Sequence, residues 1–117
     1  MARVEITQSV GPEVITSIDE NVANGVTNLY STMVDVSRYT LHSYHIISDE
    51  NITFTILGSN VASPGTIADW VTISTHNITG GTPVAYSDTW NFKYSQVLIA
   101  NSSGATAAVQ VHEKHNA

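Results

Sequence analysis

The sequence predicts an all-β fold: an antiparallel β-sandwich, jelly-roll-like, of about eight to nine strands. Three observations predict it. Apolar and polar residues alternate with a period of two along most of the chain, as they do in strands with one buried face. Gly, Pro, Asn and Asp break that alternation at short intervals. No window sustains apolar residues at i, i+3, i+4 and i+7, so no helix is expected.

The elements follow in order. Val4 and Ile6 alternate with Glu5 and Thr7, which makes residues 1–12 an N-terminal strand or arm closed by Gly11 and Pro12. A single sandwich domain is expected over 13–117. Glu13 to Ile18 reads as its first strand, and the polar run Asp19 to Gly25 reads as a loop ending in an Asn-Gly turn. Asn28 to Val34 is strand-like, and Asp35 and Ser37 then supply a turn because their side chains bond nearby amides. Thr40 to Ser48 sets His42, Tyr44 and Ile46 on one face and Leu41, His45 and Ile47 on the other, a strand expected to be buried on both sides near its end.

After the turn Asp49-Glu50-Asn51, Ile52, Phe54 and Ile56 give the clearest strand in the chain. Gly58 is read as a sharp exit from it. A small-residue loop with Pro64-Gly65 leads to Trp70, expected to cover the core end beneath the loop, and to a strand through His76. Gly80-Gly81 makes the next turn. Pro83 to Thr89, Lys93 to Ala100 and Thr106 to His112 complete the set, the last two expected to form a hairpin through Asn101-Ser102-Ser103-Gly104. Glu113 to Ala117 is expected to fray.

Composition narrows the function classes. A chain of 117 residues is one domain, large enough to build its own core without metal or disulfide. It has no cysteine, which excludes disulfides, thiol nucleophiles and cysteine zinc sites together. Only 12% of residues are charged and the net charge is −6. Four basic residues are too few to neutralise a run of phosphates, so neither nucleic acid nor an anionic membrane is an expected partner. The N-terminus lacks a secretory apolar stretch, so the three Asn-x-Ser/Thr triplets at Asn51, Asn77 and Asn101 are read as ordinary turn sequence.

Candidate chemistry resolves into structure in each case. His42 and His45, and likewise His112 and His115, stand three apart on strands, where such pairs point to opposite faces; no metal site is expected, and all five histidines are read as satisfied or solvated. Asp49-Glu50-Asn51 and Asp35-Val36-Ser37 lack the alternating spacing of a calcium loop. Nothing forms a nucleophile elbow, a phosphate loop or a dinucleotide fingerprint, so the chain is read as having no catalytic residue and no cofactor. Trp70, Trp90, Tyr44, Tyr86 and Tyr94 sit in or beside strands, where large aromatics fill a core or an interface more often than they stack on sugars.

Five stretches occur in an order that resembles a known group. They are Asp35 to Tyr39, Phe54-Thr55-Ile56-Leu57-Gly58-Ser59-Asn60, Trp70, Trp90 to Val97, and Ala100 to Gly104. Together they resemble the small β-sandwich domains of tailed-bacteriophage virion proteins, including capsid decoration (cement) proteins and head or tail fibre modules. The resemblance runs from about residue 29 to 112. Discoidin-like sugar-binding sandwiches share a similar pattern, and this sequence departs from both groups: Val61-Ala62 stands where Asp-Gly is commonest, and the loop before Trp70 is longer.

What the resemblance implies is a virion structural protein, not an enzyme. It would bind the major capsid protein, or another virion protein, as a homo-oligomer, with a trimer at a local three-fold position the attractive arrangement. Its place would be the virion, assembled in the host cytoplasm. Asn60, Trp70 and Tyr86 are the expected protein-contact residues. The alternative function is a carbohydrate- or receptor-binding module of a fibre or cell-surface protein.

Overall fold

A computed structural model describes residues 12–117. The expected N-terminal strand or arm over residues 1–12 therefore lies outside the described residues except for its last position. Among the described residues nine strands form two antiparallel sheets: β1 (Glu13–Val22), β2 (Leu29–Tyr30), β3 (Val34–Asp35), β4 (Leu41–Ser48), β5 (Ile52–Ser59), β6 (Val71–Ile78), β7 (Val84–Thr89), β8 (Tyr94–Ala100) and β9 (Ala107–Asn116). A single 3-10 turn, Ile67–Asp69, precedes β6.

One sheet has the order β1-β9-β4-β7 and the other β2-β8-β5-β6, with β3 also pairing β8. Taking β2 and β3 as one position beside β8, the chain changes sheet at every connection except β5 to β6, which is the strand order of a jelly roll. The all-β sandwich expected from the alternation is the fold observed.

The core is the set of side chains that alternation turns inward. Ile18 and Val22 from β1, Tyr44 and Ile46 from β4, Ile52, Phe54 and Ile56 from β5, Ile78 from β6, Val97 and Ile99 from β8 and Val109 and Val111 from β9 form one buried cluster. Stacking the two inner faces removes this apolar surface from water, which is the main driving force for such a fold.

Several local expectations need correction. β1 continues through Asp19 to Val22 where a loop was expected, because Val22 reaches the core and the polar residues between it and Ile18 sit on the open side of an edge strand. Asn28 to Val34 is two short strands, not one: the Ser31 hydroxyl accepts from Val97 N–H at 2.9 Å and interrupts the ladder. β4 is buried on one face alone, since Leu41 and His45 are exposed. β5 runs through Gly58 to Ser59, so Gly58 is not a strand exit. Its lack of a side chain serves a close approach instead: a Cβ there would lie 2.7 Å from the Phe92 ring.

Two corrections concern the C-terminal third. β8 and β9 belong to different sheets, so the segment between them is a crossover and not a hairpin. Asn101 holds it: the buried side-chain amide donates to the carbonyls of Val22 and Ala105, both at 2.8 Å. Nor does the chain fray after His112. β9 extends to Asn116 because Glu113 and His115 point inward and are buried between β1 and β4.

Candidate functional site

The loop from Asn60 to Trp70 folds back over the outer face of the β2-β8-β5-β6 sheet and encloses an apolar cleft of about 330 Å³. Its walls come from Tyr30, Met33, Ile67, Trp70 and Gln96, with Pro64 to Thr66 forming the rim. The cleft continues along the sheet over Thr55, Leu57, Thr72, Thr75 and Leu98. Thr55, Thr75 and Leu98 share one row of the register, which places them together on the face away from the core. Trp70 thus covers the outer face of the sheet and not the core end, contrary to expectation.

Hydrogen bonds fix the loop. The Asp69 carboxylate accepts from Gly65 N–H at 2.8 Å and Thr66 N–H at 3.0 Å, while the Ser59 hydroxyl donates to the Asp69 carbonyl at 2.6 Å. Those amides hold the Asp69 carboxyl below its ordinary value. So anchored, the loop presents Ile67 at 73% exposure, with Met33 at 40% across the cleft from it. Contiguous apolar exposure of this kind marks a contact surface more often than scattered single residues do.

The three expected contact residues have separate fates. Trp70 lines the cleft. Asn60 opens the same loop, but its side-chain oxygen accepts from Lys93 N–H at 2.9 Å and ties the loop to the segment leading into β8. Tyr86 is elsewhere: on β7 it stacks against His76 with ring centroids 3.7 Å apart, packed against the core. The structure brings Asn60 and Trp70 together and leaves Tyr86 apart.

A second constellation escaped the sequence reading. His42 on β4 and His115 on β9 are direct cross-strand partners, both fully buried, with their Nδ1 atoms 2.7 Å apart. His115 Nε2 meets Glu113 Oε1 at 2.9 Å, and His42 Nε2 meets the Trp90 carbonyl at 3.1 Å. The His42 ring stacks on the Trp90 indole, centroids 3.5 Å apart. Among the described residues, Glu113 Oε2 and Trp90 Nε1 are buried with no hydrogen-bond partner.

Along each strand the histidine pairs do diverge, as expected. Across the strands they converge, His42 with His115 inside and His45 with His112 outside. The missing signal was strand pairing, which spacing along one strand does not carry. Among the described residues no cluster of three or more His, Asp or Glu is placed to hold a metal ion.

No protein-family model matches the sequence, and no curated protein matches it as a relative. Solved structures share its fold. The PBSX exported protein XepA superposes with a TM-score of 0.73 over 90% of this chain at 12% identity. The K2 cleaved adhesin domain of Lys-gingipain gives 0.60 over 75% at 11% identity, and a Bacillus endospore appendage pilus protein 0.53 over 98% at 11%. The chain spans 37% of the XepA chain, 61% of the adhesin and 97% of the pilus protein. At these identities the likeness is one of fold: a small β-sandwich shared by exported, adhesive and fibre-forming proteins.

Proposed function

We propose that the chain is a structural binding module of a phage-type particle, a decoration or minor capsid protein that docks on major capsid subunits through the Trp70 cleft. The observation that carries this reading is the exposed apolar loop tip: Ile67 and Met33 stand open to solvent around a cleft that is mainly apolar. Protein interfaces have such a centre, apolar and aromatic with charge at the rim. Sugar recognition needs many converging polar groups beside its aromatic platform; this cleft offers Tyr30, Thr66 and Gln96 beside Trp70, and Thr55, Thr72 and Thr75 farther along, within a mainly apolar wall. The sequence resemblance to virion sandwiches and the fold shared with an exported PBSX protein both support the assignment.

The mechanism is adhesive. A preformed cleft costs little ordering on binding, and many weak copies on one lattice reinforce each other through effective concentration. No bond is made or broken.

Co-sedimentation with empty capsids assembled from the same genome tests the reading. The expected result is saturable binding that Ile67→Asp abolishes without changing the fold. Absence of co-sedimentation, with Trp70-dependent sugar binding in calorimetry, would replace it by the carbohydrate-binding alternative.

A further inference from the structure

Two imidazole nitrogens 2.7 Å apart attract each other only with one proton between them; two bare lone pairs repel, and so do two N–H groups. The outer nitrogens are committed as well. His42 Nε2 faces a carbonyl oxygen, which only accepts, so that nitrogen carries a proton. The contact between His115 Nε2 and Glu113 Oε1 needs one proton more.

Three protons on two imidazoles and one carboxyl give a net charge of zero. Two arrangements meet the count. In one, Glu113 is a carboxylate facing an imidazolium whose inner proton is shared between the rings. In the other, Glu113 is a carboxyl donating to His115, and both rings are neutral. Shifting protons along the hydrogen-bonded row interconverts them without changing the total.

We propose that His42, His115 and Glu113 form a buried proton-holding unit that links the folding of the sandwich to pH, with stability greatest when the unit holds three protons and lost towards both acid and alkali.

The sign follows from counting protons in each state. Near about pH 8 the unfolded chain has Glu113 ionised and both imidazoles neutral, two protons in all. The folded unit holds three, so raising the pH withdraws stability. Near about pH 5 both unfolded imidazoles are charged and Glu113 is still largely ionised, four protons in all, so lowering the pH withdraws stability too. One proton separates the states on each limb, which changes the folding constant by up to about tenfold per pH unit. The maximum lies near the ordinary imidazole value, about pH 6.5.

The surroundings agree. Burial holds the His42 imidazole below its ordinary value; the Trp90 carbonyl opposes this, neighbouring His115 adds to it, and Glu113 and Asp88 oppose it. The net result is resistance to a fourth proton. Tyr44 and Tyr39 pack their rings on His115 at 6.0 and 6.1 Å. Burial, with the charge of Glu113, pushes the Tyr44 phenol far above its ordinary value, so it remains a neutral wall. Its hydroxyl meets Ser95 from β8. Asp88, the register partner of His42 on β7, is exposed, and Glu13, the register partner of His115 on β1, is half-buried at the start of its edge strand. A fourth proton on the rings would put two N–H groups face to face, driving His42 from His115 and straining its contact with the Trp90 carbonyl, and one on Glu113 Oε2 would leave the buried unit with a net positive charge.

Urea unfolding from about pH 4.5 to about pH 9 tests the proposal on the whole chain. Wild type is expected to give a bell with both limbs. His42→Gln, whose amide needs no shared proton, is expected to lose the alkaline limb. His45, His76 and His112 are unchanged between the two proteins and cancel in the difference. A second measurement needs no variant: in uniformly 15N-labelled protein near about pH 6.5, scalar coupling between the two Nδ1 nuclei reports the shared proton. A wild-type curve flat above about pH 6.5 overturns the proposal, as does absence of that coupling. Stoichiometric stabilisation by added zinc also overturns it, since a metal and not a proton would then fill the gap.

Discussion

Trp70 and Trp90 sit in opposite surroundings. Trp70 stands in a cleft that is apolar yet open to solvent, among side chains a sandwich would ordinarily hide. Trp90 packs on the core beside groups that are polar yet sealed: it stacks on His42, whose neighbours His115 and Glu113 have almost no exposure. Each region inverts the usual rule of burial, and a buried polar group or an exposed apolar patch is the informative departure from it. The open region has surface to share with a partner. The sealed one has no access to a partner, so its chemistry acts on the fold itself.

Substitutions should separate the two. The largest effect is expected from Glu113→Ala, which leaves His115 Nε2 without its counter-group in a dry interior. Removing one member of a buried pair costs about 3–5 kcal/mol, read as a lower urea midpoint at unchanged slope. Capsid binding by the fraction that stays folded is expected to be unaltered. If Glu113→Ala left stability intact and weakened docking, the division between the regions would be lost.

Gly58→Ala comes next. The added methyl meets the Phe92 ring and Ile73 inside 3 Å, in a strand paired on both sides. Overpacking of this kind costs about 1–3 kcal/mol, again measured in urea. Phe92 follows Trp90 in the same connection, with rings 5.9 Å apart, so the strain lands on the sealed side. Ile67→Asp has the reverse signature: at 73% exposure it is expected to change stability by less than about 0.5 kcal/mol while abolishing co-sedimentation.

The two regions also differ in how far the sequence disclosed them. Strand existence and the inward faces of β4 and β5 were legible, because Tyr44, Ile46, Ile52, Phe54 and Ile56 alternate cleanly and burial enforces the pleat. Trp70 was legible as the anchor that follows a turn-rich loop, although the face it covers was not. The proton unit was invisible. His42 and His115 lie 73 positions apart and meet through β4–β9 register, a long-range pairing that neither residue's neighbours encode. The same blindness produced the expected hairpin at Asn101, since local turn chemistry cannot tell a return within one sheet from a crossing to the other.

Asp69 gives the smallest expected effect and the finest test of the open region. Its carboxylate ties the loop through the amides of Gly65 and Thr66, and the lowered pKa means that the folded loop favours the ionised form. A depressed carboxyl contributes fully above its ordinary value of 3.8 and loses its contribution as the pH falls through the lower folded value. The group is solvent-exposed, so global stability is expected to change little. The loop is expected to respond instead: Asp69→Asn weakens both amide contacts, letting Pro64 to Ile67 drift from the sheet and widening the cleft beside Trp70. Docking should then weaken by a fraction of the Ile67→Asp loss, with faster amide exchange at Gly65 and Thr66. Exchange that quickens at Trp90 and Lys93 as well would mean that the two regions are mechanically joined, because Asn60 on this loop accepts from Lys93 N–H.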